Sequence, residues 1–352
     1  MKGGKKRILS LCILLFAASI CTAADRSHDA ELSDLYVEKA RILYGEYKYT
    51  EAERLLDIAL EFEEKNPDAL YLKGLISAQE RGGRRDAVRL FQQALAEPQW
   101  NIFRREEASY SLGSVLLTLR QASQALKIFS DIRSAYAENP EFYLRYSRSQ
   151  AESGDVKGAI RTLRSSIRTF EDSKSLRMLL VTYDPLYINE LSVQYFDIGD
   201  SSVFDAELLA EVVQHAADPA LKRRLIDAYH SAFGENLTVA VEDALLGGSQ
   251  SKETLKRITD LGLFADQRLT LRLYEGLASE EAKKELVTLF SQFSGSAVLD
   301  ENDDGIPEAV SLFESGKLVT RNVDTDQDDR PEFSLSFVDG RLYTAELPEG
   351  IT

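Results

Sequence analysis

The stretch Tyr36–Pro67, YVEKARILYGEYKYTEAERLLDIALEFEEKNP, decides how the first half of this chain is read. It has the layout of a first helix, a short turn, and a second helix whose buried side opens at Ala52. The same frame returns in residues 71–98 (YLKGLISAQERGGRRDAVRLFQQALAEP), 109–140 (SYSLGSVLLTLRQASQALKIFSDIRSAYAENP) and 142–170 (FYLRYSRSQAESGDVKGAIRTLRSSIRTF). The opening alanines, Ala52, Ala87, Ala125 and Ala159, follow one another at nearly constant steps. A period of roughly 34 residues marks an array in which each helix pair buries its apolar face on the next.

Over residues 33–171 this pattern resembles the tetratricopeptide repeat (TPR) family. The resemblance rests on Ala40, Gly74, Gly113 and Ser147 as the small residues of the first helices, and on Leu56, Phe91, Phe129 and Leu163 as the large ones of the second. Ala59, Ala94 and Ser166 complete the small contacts. Small side chains let paired helices approach, and large apolar ones fill the groove between neighbouring pairs. Pro67, Pro98 and Pro140 punctuate the ends of repeats, where a helix is expected to stop. Two departures stand out: Ile132 replaces a small residue in the third repeat, and RGGRRD lengthens the turn of the second. The resemblance implies a concave groove, lined by the first helices, for a protein or peptide partner. By register it would present Val37, Arg41, Tyr44, Tyr71, Tyr110, Ser114, Leu144 and Arg148. These lack the paired Asn and Lys sets with which some TPR proteins grip a C-terminal carboxylate.

The chain begins MKGGKKRILSLCILLFAASICTAAD, with Lys2, Lys5, Lys6 and Arg7 ahead of thirteen mostly apolar residues, Ile8–Ile20, and a small-residue site. This is the layout of a secretory signal peptide cut after Ala24, with a cut after Ala23 fitting nearly as well, and its apolar run is too short for a membrane-spanning helix, which needs about 20 residues. The rival reading makes Cys21 the acylated first residue of a bacterial lipoprotein, although Ile20 stands where a small residue is expected. Both cysteines, Cys12 and Cys21, fall in this segment, so a protein cut after Ala24 has no thiol chemistry. The formal charge of −16 becomes about −20 once the four leading cations are removed, which argues against nucleic acid as a partner.

Residues 186–296 keep helical periodicity without clear repeat marks. Asp218 before Pro219 and Ser279 before Glu280 and Glu281 are helix starts. The catalytic search finds three histidines, His28, His215 and His230, with no close pair, and no GxSxG, phosphate-binding or dinucleotide fingerprint. FSGSAV, around Ser294 and Ser296, reads as a Gly/Ser linker before an acidic segment.

That segment holds a second repeat. LDENDDGIPEAVSLFESGKLVTRNV, residues 299–323, aligns without a gap on residues 323–347. Each unit reads as an acidic loop followed by a β-hairpin, and about four strands are expected. Oxygen side chains at alternate loop positions suit a hard cation. The candidate Ca2+ ligands are Asp300, Asn302, Asp304 and Glu308 in the first loop, and Asp324, Asp326, Asp328 and Glu332 in the second. The exit strands, and Ser311 and Leu335 where an EF-hand ligand falls due, set both loops apart from EF-hands. Four carboxylates in the second loop repel one another, so both loops are expected to splay without a cation.

The expected fold is mainly α: a TPR-like α-solenoid of antiparallel helix pairs, a helical extension, and a small C-terminal antiparallel β module. The expected division is a signal peptide at 1–24, about four repeats in 25–171, the extension in 172–296 and two loop-and-hairpin units in 297–352. The expected function is a non-enzymatic, exported TPR scaffold for protein–protein interaction in the bacterial cell envelope, periplasmic or envelope-associated. A calcium-dependent surface adhesin and a lipid-anchored envelope assembly factor are the other readings.

Overall fold

The computed structural model describes residues 28–80, 82–247, 250–301, 305–328 and 330–346. The expected signal segment 1–24, with Cys12 and Cys21, and the loop residues Asn302 and Asp304 lie outside the described residues. Among the described residues are sixteen α-helices followed by five strands. They divide into two compact units, one formed by residues 28–80 with Asp86–Ser111, the other by residues 82–85 with the described residues from Leu112 onward.

The first unit contains α1 (His28–Gly45), α2 (Tyr49–Phe62), α3 (Pro67–Gln79), most of α4 (Arg84–Ala96) and the first half of α5 (Arg105–Thr118). Val37 and Ala40 of α1, Ala52, Leu56 and Ala59 of α2, and Ala69, Leu72 and Ile76 of α3 make one core. Pro67 does not close a repeat, as its position had suggested; it is the first residue of α3. Its missing N–H is one that a helix start leaves unpaired anyway. Asn66 caps that helix by accepting from Ala69 N at 3.0 Å, while its amide donates to Ser33 Oγ and Asp34 Oδ1, each at 3.0 Å. Pro140 opens its helix in the same way behind Asn139.

The second unit contains the second half of α5 with α6 (Ala122–Ile132), α7 (Pro140–Glu152) and α8 (Val156–Thr169). Ile132, too large for its repeat position, ends α6, and the chain tightens into a 3-10 turn at Arg133–Tyr136. The turns inside the four pairs each place one residue in the left-handed region: Tyr47, Gly82, Arg120 and Gly154. Two of these are glycines; Tyr47 and Arg120 adopt φ of 60° despite their Cβ atoms.

Helices α9 (Lys174–Tyr183), α10 (Pro185–Val193), α11 (Ala206–His215), α12 (Pro219–Phe233) and α13 (Leu237–Leu245) continue the helical packing on a core that includes Leu163, Leu180, Leu191, Leu209, Val213 and Ile226. Asp218 and Ser279 cap the expected starts, accepting from Leu221 N at 2.7 Å and Ala282 N at 3.0 Å. A further core joins α13 to α14 (Lys252–Asp260), α15 (Gln267–Gly276) and α16 (Glu280–Phe290).

The sheet is an antiparallel meander, β1 (Gly295–Leu299), β2 (Ala309–Glu314), β3 (Lys317–Val323), β4 (Phe333–Val338) and β5 (Arg341–Glu346). FSGSAV is therefore no linker: its last four residues lie in β1, and the described residues hold five strands rather than about four. Ser294 Oγ accepts from Ser315 N at 2.8 Å, and Gln267 bridges Ala297 O and Ser311 Oγ, both at 2.9 Å. The two hairpins share one geometry. Turns Ser315–Gly316 and Asp339–Gly340 both have two positive φ angles, and the bulges at Leu312/Phe313 and Ser336/Phe337 fall at equivalent positions of the two units. Phe313 packs edge-on to Phe290 at 5.1 Å, so the sheet rests on α16.

Candidate functional site

Two of the repeat contacts expected from the sequence are made directly. Phe91 fills the space above Gly74, and Phe129 that above Gly113; a Cβ on either glycine would lie 2.5 or 2.8 Å from the ring. The groove candidates then separate by burial. Val37 is 0% and Tyr71 6% exposed. Both are core residues and offer a partner no surface. Tyr71 packs against Phe91 and Phe103, with ring centroids 5.7 and 5.0 Å away, and its hydroxyl meets Ser111 Oγ at 3.3 Å. Tyr44 is half-buried against Tyr49, and burial pushes its phenol above the ordinary value. Arg41 is exposed and pairs with Glu38. Tyr110, Ser114, Leu144 and Arg148 are half-buried.

Leu144 and Arg148 come together in a cavity of about 360 Å³, with Leu117 and Thr118 of α5, Glu141, Arg145 and Glu152 of α7, and Ile306. Arg145 pairs with Glu141 at 3.0 Å and Arg148 approaches Glu152 at 3.9 Å, so the charged rim is internally balanced. Ile306 belongs to the first acidic loop, far beyond α7 in the chain. No periodicity within the repeats could have pointed to it.

The acidic loops are held by a second repeated set of contacts. Glu308 Oε2 accepts from Glu301 N at 2.7 Å; in the second loop the equivalent Glu332 Oε2 accepts from Thr325 N at 2.7 Å. Asp300 accepts from Gly305 N at 2.9 Å, and Asp324 from Asp328 N at 3.0 Å. Among the described residues, protein cations stand against the carboxylates. Arg120 Nη1 donates to the buried Glu308 at 3.1 Å. Arg85 spans two acids of the second loop, with Nη2 on Asp326 and Nε on Asp328 at 2.8 Å. The hydrogen bond to Asp326 pushes the Arg85 guanidinium further above its already high value. Arg84 donates to the carbonyl of Gln327, whose side chain donates to Ile306 O at 2.6 Å.

Asp324, Asp326 and Glu332 each bring an oxygen within 4.8 Å of the others. Asp328 stands outside that group: one oxygen faces Arg85 and the other accepts from Arg330 N at 2.8 Å. In the first loop, Asp300 and Glu308 are placed as above, and Asn302 and Asp304 are outside the described residues. Arg85 and Arg120, missed by the sequence reading, sit in the first turn of α4 and on a repeat turn, where a basic residue looks like ordinary surface.

Residues 110–174 match the tetratricopeptide repeat family model. No curated protein matches the chain. Similar solved structures include a TPR protein from Parabacteroides merdae, at 15% identity over 73% of this chain and 98% of that one, with a TM-score of 0.46. Pseudomonas aeruginosa PilF aligns at 13% identity over 73% and 97% of the two chains, with a TM-score of 0.38. YrrB, described as a TPR protein with an unusual peptide-binding site, aligns at 18% identity over 54% and 89%, with a TM-score of 0.36. Gly113 seated under Phe129 lies inside the matched stretch, so residues 110–174 carry the tetratricopeptide repeat pattern in both sequence and packing.

Proposed function

We propose that this chain is an exported, non-enzymatic scaffold of the bacterial envelope that holds a protein or peptide partner along its repeats. The observation that carries the reading is the cavity between α5 and α7, where half-buried Leu144, backed by buried Leu117, offers apolar surface beside balanced charges. A short peptide segment could place one apolar side chain there and meet Arg145 or Arg148 with its polar groups. The test is capture from envelope extracts by the unaltered chain and by Leu144→Glu and Arg148→Glu variants. A partner lost with both variants supports the reading; unchanged capture sinks the groove as the site. Intact mass of the native protein tests export, since cleavage after Ala24 and acylation at Cys21 leave different masses.

The second part of the proposal is a Ca2+ ion in the second acidic loop. Supporting it are the convergence of Asp324, Asp326 and Glu332 and a buried Asp326 Oδ1 that has no hydrogen-bond partner among the described residues. A hard cation with six to eight oxygen ligands fits that donor chemistry. In this reading the ion stabilises the hairpin module and takes no part in a reaction.

A further inference from the structure

The five strands are one pairing pattern repeated in step with the loop-and-hairpin unit. Ser296 of β1 faces Leu312 of β2, as Thr320 of β3 faces Ser336 of β4; Leu299 faces Ala309, as Val323 faces Phe333. The hairpins obey the same step, with Val310 facing Asn322 and Ser334 facing Glu346. β1, β3 and β5 are therefore equivalent strands. The edge that β1 gives to β2, and β3 gives to β4, is on β5 the outer edge of the sheet, with no strand on it among the described residues.

That edge lacks the usual protection. β5 is exposed at every position, and Leu342 and Tyr343 are 58% and 74% exposed. Edge strands normally carry Lys, Pro or inward charges that discourage pairing. Here charges stand only at the ends, Arg341 and Glu346, and Leu342–Ala345 carries none.

We propose that the outer edge of β5 accepts one extended strand of a partner protein, antiparallel, in the register that β2 has on β1 and β4 has on β3. Main-chain hydrogen bonds would supply affinity and alternate side chains specificity. The strands on the two equivalent edges define the chemistry: Ala309-Val310-Ser311-Leu312-Phe313 and Phe333-Ser334-Leu335-Ser336-Phe337, both uncharged and both ending on an aromatic residue. The residue opposite Thr344 takes the place of Leu312 and Ser336. A second copy fits less well, because its own β2 and β4 are paired on both sides and cannot be offered. This edge shares no residue with the helical groove, so the two sites are tested separately.

The experiment uses the full mature chain and labelled synthetic peptides of residues 307–314 and 331–338, read by fluorescence anisotropy. Two further versions of each peptide carry backbone N-methyl groups on alternate residues, in complementary sets. Only alternate N–H groups of an added strand point at its neighbour. Saturable binding is expected, with one methylated set weakening it at least ~10-fold, the loss of about 1.4 kcal/mol of hydrogen bonding, and the other leaving it nearly unchanged. Absence of binding, or equal weakening by both sets, overturns the proposal. So does a dimer in sedimentation that the peptide cannot enter, which would assign the edge to a second copy.

Discussion

Phe91 occupies the space that a side chain on Gly74 would need: a Cβ there would lie 2.5 Å from Phe91 Cε1. Within a helix glycine costs roughly 1 kcal/mol against alanine, so Gly74→Ala should stabilise if the ring could yield. Phe91 is fully buried and cannot move freely. The expected outcome is net destabilisation of about 1–2 kcal/mol by urea unfolding, overpacking outweighing propensity. Adding Phe91→Leu should return part of that loss, whereas simple additivity of the two changes would show that the contact is not the cause.

Arg120 joins two uncommon features, a left-handed backbone and an ion pair with Glu308, whose side chain is 6% exposed. Arg120→Ala should cost about 2–3 kcal/mol, because it leaves a buried carboxylate short of its cation. Arg120→Gly loses the same pair but relieves roughly 1 kcal/mol of backbone strain, so it should be the milder variant. Equal losses for both would mean that the positive φ carries no cost at this turn.

Arg85 and a bound Ca2+ would draw on the same carboxylate, Asp326. Removing the guanidinium in Arg85→Ala should therefore enlarge the calcium effect on the thermal midpoint. For a dissociation constant of about 0.1–1 mM, calcium at about 10 mM corresponds to about 1.4–2.7 kcal/mol. Asp324→Asn with Asp326→Asn should abolish the rise. Calorimetry showing no calcium effect on either the unaltered chain or Arg85→Ala removes the metal proposal.

Asp68 is fully buried and accepts from the N–H groups of Asn101 and Phe103 at 2.9 and 2.8 Å, with Ile102 at 3.3 Å. Burial raises its carboxyl above the ordinary 3.8, outweighing those three bonds, which lower it. The folded chain thus binds this proton more tightly than the unfolded chain does. The associated stability is complete below 3.8 and is lost as pH rises through the raised value. Relative to Asp68→Asn, the unaltered chain should lose stability as pH rises across that window. The opposite slope would mean that the three N–H bonds dominate.

Short-range physics made much of this protein legible in its sequence. Helix pairs follow from the helical periodicity of apolar residues, and small-on-large pairs such as Gly74 with Phe91 follow from the period of the repeats. The hairpins follow from Ser-Gly and Asp-Gly at positions needing positive φ. Each signal lies within a short window or repeats at a fixed step, so it survives in the linear order. β1 was hidden because Gly295 and Ser296 read as flexible until β2 supplies a neighbouring strand. Val37 and Tyr71 share the groove's register, but only packing against adjacent helices showed them to be buried. The setting of the acidic loops was decided by tertiary structure alone. Arg85 and Arg120 lie 241 and 188 residues from Asp326 and Glu308, and no local pattern records which cation a folded chain will bring to a carboxylate.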